Sequence, residues 1–209
     1  MDDPIDFLRT MFKVAIRAAQ ADVCLPSFLP QQPKGRSIVI GAGKASAAMA
    51  ETAEKYWSRD IQGIVITQYG FGRPCNYIEV IEASHPIPDE AGLEATNRIM
   101  RLLNDLTEED LVLCLISGGG SALLTLPAKG IKLSDKQTIN QELLKSGAPI
   151  SEINKVRKHL SRIKGGRLAA ACVPAQLHTL IISDIPGDDP SLIASGPTFP
   201  NLSTSLDAL

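Results

Sequence analysis

Aromatic side chains are scarce in this chain, 4% of 209 residues with one tryptophan, which argues against the stacking platforms that hold single-stranded nucleic acid. A strong charge imbalance is missing too. The formal net charge of −2 is too small to draw the chain to a polyanion or an anionic membrane surface. The four cysteines, Cys24, Cys75, Cys114 and Cys172, form no C-x-x-C pair. That excludes the common zinc and dithiol frameworks and fits a reducing compartment. No apolar run approaches membrane-spanning length, and the first residues lack the basic-then-apolar pattern of a signal peptide. The expectation is a cytoplasmic protein with small-molecule partners, no nucleic acid and no membrane.

What is present is an ordinary core. Hydrophobic residues make up 44% and charged residues 21%, enough for one folded domain, or for one domain and the beginning of another. Helical spacing of Phe7, Leu8, Met11, Phe12, Ala15, Ile16 and Ala19 predicts an amphipathic helix over 6–21. Strand-like runs follow at 37–40, 63–67, 78–83, 110–116 and 177–182. Between them lie helical patterns at 44–57, 89–106, 134–145, 151–161 and 167–172. Strands alternating with helices predict a layered α/β fold, with a mostly parallel sheet and helices on both faces. Asn201 to Leu209 read as a helix start capped by Ser203 or Thr204, so that the chain resembles a truncated longer one.

Three of the strands end in loops of glycine with charged or hydroxyl residues, where an open α/β sheet binds its ligand. In the first, Gly41-Ala42-Gly43-Lys44-Ala45-Ser46, a phosphate-binding P-loop would need glycine at Ile38 and a hydroxyl at Ala45. A dinucleotide fingerprint would need glycine at Ser46 and an acidic residue near Thr67-Gln68-Tyr69. The fold is therefore Rossmann-like but not a true dinucleotide fold. A tight turn into a helix with an ammonium beside it still suits an anionic oxygen. In the second, Ser117-Gly118-Gly119-Gly120-Ser121, three glycines permit close backbone approach and an N–H nest for phosphate. Ser121 lacks the following glycine of a nucleophile elbow, where Leu123 stands.

In the third loop, Asp184, Asp188 and Asp189 supply hard oxygens suited to Mg²⁺ with substrate phosphates completing the shell, or a base for a substrate hydroxyl. Ser195-Gly196-Pro197-Thr198 is placed to close over the same site. On the helix from Ser151, Asn154, Arg157, Lys158 and Ser161 share a face, with Lys155, Arg162, Lys164 and Arg167 adding positive charge. This is a candidate clamp for carboxylate or phosphate. His85 is a weaker candidate for a polar substrate, and His159 and His178 read as structural.

Five segments, IVIGAGKASAAMA (38–50), SHPIPDEAG (84–92), LISGGGSALL (115–124), NKVRKHLSRIKGGRLA (154–169) and SDIPGDDPSLIASGPT (183–198), carry a resemblance. Together they make the chain similar to the glycerate 2-kinase family, a group that also carries a hydroxypyruvate reductase label. The resemblance implies ATP-dependent phosphorylation of D-glycerate at its 2-hydroxyl with Mg²⁺, giving 2-phosphoglycerate. It places the family's active-site lysine on Lys44. Gly41, Gly43, Ser117, Gly118, Gly119, Gly120, Ser121, Asn154, Lys155 and Arg157 are then expected around substrate and phosphate, Asp184 and Asp189 at metal, and Asp188 at the hydroxyl. D-glycerate and ATP are the implied partners, and a homodimer is left open. The same resemblance implies a second, smaller C-terminal domain contributing a catalytic arginine, so the 209-residue chain is expected to be the N-terminal domain alone and weakly active or inactive. The competing readings are a nicotinamide-dependent reductase and a non-catalytic nucleotide- or sugar-acid-binding module.

Overall fold

The structure, a computed structural model, describes residues 3–57 and 60–208. Helix α1 (Pro4–Ala18) starts at Asp3, whose carboxylate accepts the Ile5 N–H at 3.0 Å, with proline tolerated in the first turn because its missing N–H has no helical partner there. A short helix α2 (Ala21–Cys24) leads to strand β1 (Ser37–Ala42), helix α3 (Ser46–Tyr56) and strand β2 (Ile61–Gln68). Strand β3 (Ile78–Ala83) precedes helix α4 (Glu90–Leu102), and strand β4 (Leu111–Ser117) precedes the single turn α5 (Gly120–Leu123). Helices α6 (Leu133–Lys145), α7 (Ile150–His159) and α8 (Arg167–Ala171) then lead to strand β5 (Gln176–Ile182).

The five strands form one sheet, all parallel, in the order β3-β2-β1-β4-β5. Central β1 and β4 are buried along their whole length, which explains their unbroken hydrophobicity: both faces are covered. Side chains alternate between two cores. Ile38, Ile40, Val112, Cys114 and Ile116 pack with Ile99 of α4, Leu123 of α5 and Leu168 of α8. Val39, Leu111, Leu113 and Leu115 pack instead with Met49, Ala50 and Ala53 of α3 and Leu25 beyond α2. The expected α/β layering with helices on both faces is the observed architecture. The paired strands approach closely where a side chain is missing: a Cβ on Gly41 would stand 2.1 Å from the Leu115 carbonyl oxygen.

At the amino ends of the strands, buried Asp110 is the organising charge. Its carboxylate accepts the Arg36 backbone N–H at 2.7 Å, Arg36 Nη2 at 2.8 Å and the Thr107 N–H at 2.8 Å, joining the entries of β1 and β4. The Arg36 guanidinium and these backbone donors hold the Asp110 carboxyl well below the usual carboxylate range.

Some local expectations shift. The helix expected over 44–57 starts at Ser46, because Lys44 and Ala45 are held in the preceding turn. The 89–106 helix ends at Leu102. Helix α1 is amphipathic as expected, yet Phe7, Leu8, Met11 and Phe12 stay exposed among the described residues. The expected terminal helix start is a 3₁₀ turn at Leu206–Ala208, where the Thr204 hydroxyl accepts the Asp207 N–H at 3.3 Å. Leu209 lies outside the described residues.

Candidate active site

The strand order reverses direction between β1 and β4, and in such sheets the crevice outside the carboxyl ends at this point receives the ligand. The loops leaving β1 and β4 are tied together across it. The Lys44 N–H donates to the Gly118 carbonyl at 2.9 Å, and the Ala45 N–H donates to Ser117 Oγ at 2.9 Å. Gly43 makes this approach feasible. Its φ is +142°, and a Cβ there would lie 2.1 Å from Ser117 Oγ and 2.6 Å from the Ser117 carbonyl. Ser46, standing where a dinucleotide fold has its third glycine, turns its buried hydroxyl onto the Gly43 and Ile66 carbonyls, at 2.7 and 2.8 Å.

The triple glycine is the point on which the other groups converge. A Cβ built on Gly119 (φ +87°) would meet the His85 ring at 3.2 Å and Lys44 Cγ at 3.3 Å. One on Gly118 would meet Asp184 Oδ2 at 1.9 Å, and one on Gly120 would meet the Ala194 methyl at 2.7 Å. Lys44, His85, Asp184 and the 193–195 turn therefore surround the same three residues, the first contributed by the β1 loop, the second by the β3 loop and the last two by the chain beyond β5. His85 is half-buried; burial first, then the Lys44 and Arg157 charges, push its pKa down, with Asp184 opposing. Its loop is fastened to α6, since Asn140 Nδ2 donates to the Pro86 carbonyl at 3.2 Å and Gln137 Nε2 to the Pro88 carbonyl at 2.7 Å.

Ser121 opens a hydroxyl relay into the core. Its Oγ lies 2.8 Å from Ser195 Oγ, which donates to Asn154 Oδ1 at 2.9 Å. Asn154 Nδ2 donates to the Leu192 carbonyl at 3.1 Å, and Ala194 and Ser195 hold left-handed φ values of 52° and 61°. Of the segment 195–198, Ser195 reaches Ser121 beyond the glycine turn, while the Gly196 and Pro197 carbonyls accept the Gly166 and Leu168 N–H groups at 2.9 and 3.1 Å. Of the three ligands expected on α7, Asn154 and Lys155 are placed otherwise. Asn154 is 1% exposed with both ends of its amide engaged, so it positions the Ser195 turn instead of facing a ligand. Lys155 points elsewhere and is paired with Glu152 at 2.9 Å within its own helix. Arg157 is turned inward, with Nε and Nη2 donating to Asn140 Oδ1 at 2.9 and 2.5 Å.

The three carboxylates separate as well. Asp184 reaches the glycine turn, whereas Asp189 accepts the Ser191 N–H at 2.8 Å and, with Lys158 nearby, is held below the usual carboxylate range. Asp188 is exposed, with a left-handed φ of 51°, and makes no side-chain hydrogen bond among the described residues. Among those residues no cluster of three or more His, Cys, Asp or Glu side chains could hold a metal unaided. A single exposed carboxylate beside a glycine turn can still serve Mg²⁺ where substrate oxygens and water complete the shell. His85 is the weaker candidate in the sequence and Lys136 is not a candidate there, yet the fold places both near the glycine turn. Each sits outside a glycine motif, and only the packing of the β3 loop against α6 brings them in.

Residues 7–209 match the family described as "Domain of unknown function (DUF4147)", and the chain belongs to that family. Its relatives carry two kinds of name. It is 45% identical over 199 residues to a D-glycerate 2-kinase of Thermotoga maritima, covering 94% of this chain and 48% of that protein. It is 53% identical over 202 residues to a protein of Agrobacterium vitis named "Putative hydroxypyruvate reductase", covering 96% of this chain and 46% of that one. A crystal structure described as glycerate kinase from Thermotoga maritima superposes with a TM-score of 0.87 at 44% identity, over 94% of this chain and 48% of that chain. The chain thus spans about half the length of these relatives. No helix among the described residues is long and apolar enough to cross a membrane.

Proposed function

We propose that this chain carries the phosphate-handling part of a glycerate 2-kinase, transferring the terminal phosphoryl group of ATP to the 2-hydroxyl of D-glycerate. The observation that supports it most is the meeting of Lys44, His85 and Asp184 on the backbone of Gly118 and Gly119 at the switch point of the sheet. Phosphoryl transfer asks little covalent chemistry of a protein; it asks for positioning and for charge where charge develops. Lys44, exposed in the turn before α3, supplies a cation for the transferring group. The open N–H groups of the glycine turn cradle phosphate oxygens without a side chain in the way. Mg²⁺, when bound, would be held by Asp184 with phosphate oxygens and would neutralise charge on them. His85, kept neutral by burial and its cationic neighbours, orients the acceptor by hydrogen bonding without repelling Mg²⁺.

The names of its relatives also suggest a reductase, but this chain gives that reading little support. β2 ends at Gln68, without the carboxylate that binds a ribose, and Ser46 fills the position of the third glycine. The deciding experiment incubates a version of the protein that spans the full length of its relatives with ATP, Mg²⁺ and D-glycerate and resolves 2-phosphoglycerate from 3-phosphoglycerate. Formation of 2-phosphoglycerate is expected; NADH oxidation by hydroxypyruvate with no phosphorylated product would replace the kinase by the reductase.

A further inference from the structure

Beside the glycine turn, beneath α6 and α7, lies a cavity of about 20 Å³ whose lining includes Ser121, Lys136, Asn140, Arg157 and Lys164 but no carboxylate. It is cationic from several sides. Lys136 is 6% exposed and its Nζ is buried with no hydrogen-bond partner among the described residues. Lys164 is 0% exposed, and its Nζ has one bond, to the Leu124 carbonyl at 2.9 Å. Arg157 commits Nε and Nη2 to Asn140 Oδ1. Packing three cationic side chains together away from water, one of them unpartnered, is unfavourable unless an anion completes the set or a proton leaves.

Size and place narrow the anion. A water-sized group needs about 10–15 Å³ of such space, so this cavity has room for a small polar head at most and excludes a nucleotide. It shares Ser121 and Ala122 with the α5 turn that follows Gly119, and Asn140 joins Arg157 to the loop that carries His85, so it adjoins the groups that surround Gly119. We propose that this cavity is the carboxylate subsite of the hydroxy-acid acceptor, in which Lys136 and Arg157 hold the carboxylate and Lys164 braces the cavity wall. This rests on the kinase reading for the identity of the acid. Burial, aided by the Arg157 charge, pushes Lys136 down to about 8, and an anion placed against it would favour the charged form.

The test titrates the protein with D-glycerate, glyceramide, chloride and inorganic phosphate in turn, without nucleotide, following the Cε resonance of Lys136 and the heat of binding. D-glycerate is expected to move the Lys136 resonance saturably and to bind at least tenfold tighter than uncharged glyceramide. Lys136→Met should weaken D-glycerate at least tenfold and leave ATP affinity within twofold, whereas Lys136→Arg should keep most of the acid binding. An unmoved wild-type Lys136 resonance at saturating D-glycerate overturns the proposal whether or not a variant folds. So does glyceramide binding as tightly as the acid, or chloride or phosphate matching it at this site. Binding of the acid and phosphoryl transfer are read separately. Carboxylate binding without phosphorylation removes the kinase and keeps the subsite; normal phosphorylation with a D-glycerate KM unchanged in Lys136→Met removes the subsite and keeps the kinase.

Discussion

Ser117, the last residue of β4, accepts the Ala45 N–H on its hydroxyl at 2.9 Å, so the turn that carries Lys44 is fastened to the neighbouring strand and not to its own. The bond passes over Gly43, where no other residue fits. Gly43→Ala should therefore destabilise the protein by at least about 2 kcal/mol, combining an unfavourable φ with a clash against backbone. Urea unfolding checks this; a loss under about 0.5 kcal/mol would mean the two loops are not so fastened.

Gly118→Ala should behave differently. Its neighbour is the far end of the exposed Asp184 side chain, which can swing away, so stability should stay within about 0.5 kcal/mol while Asp184 is displaced from the glycine turn. A fall in kcat without a fall in melting temperature is the expected signature. An unchanged kcat would release Asp184 from the site.

In a version that spans the full length of its relatives, Lys44→Ala should lower kcat by about 10² or more, the scale for losing one transition-state charge stabiliser. Because Lys44 is exposed, the variant should melt as the wild type does. Steady-state kinetics alongside thermal unfolding separates the two effects, and a near-normal kcat would take Lys44 out of the chemistry.

His85 sets one acid limit. Its folded pKa is lowered, so below the ordinary histidine value of about 6.5 the unfolded chain binds a proton that the folded chain resists. Stability should fall as pH drops through that value toward the folded pKa. His85→Gln should flatten this part of the profile, as measured by chemical denaturation at a series of pH values.

Asp110 sets a second, lower limit. Its pKa is depressed, so its contribution is fully present above the ordinary carboxylate range near pH 4 and is lost as pH falls below it. Asp110→Asn should cost on the order of 2–3 kcal/mol at neutral pH, since it removes the charge that Arg36 and two backbone donors share. The same denaturation series should show the variant losing less stability than the wild type below about pH 4.

The periodicity of the chain made the strands and the long helices legible, because β1 and β4 are apolar throughout and the helices carry one apolar stripe. Glycine after a strand made Lys44 and residues 118–120 legible as well. What stayed hidden depends on contacts between distant segments. Nothing local distinguishes Asp184 from Asp188; only the approach to Gly118 does. Asn154 looks like a ligand on its helix face, yet the turn at Ala194 and Ser195 takes both ends of its amide. Lys136 lies within the 134–145 helical pattern with nothing to single it out, and only the packing with Arg157 and Lys164 buries it.

The split between the two ends of the strands has a practical meaning. Lys44, Asp184 and His85 hang from loops at one margin of the sheet, while the Arg36–Asp110 pair that joins the strands lies at the opposite margin. On the proposed function, exchanging exposed side chains at the first margin should retune selectivity with little loss of cohesion, and reinforcing the far margin should raise heat tolerance with turnover untouched.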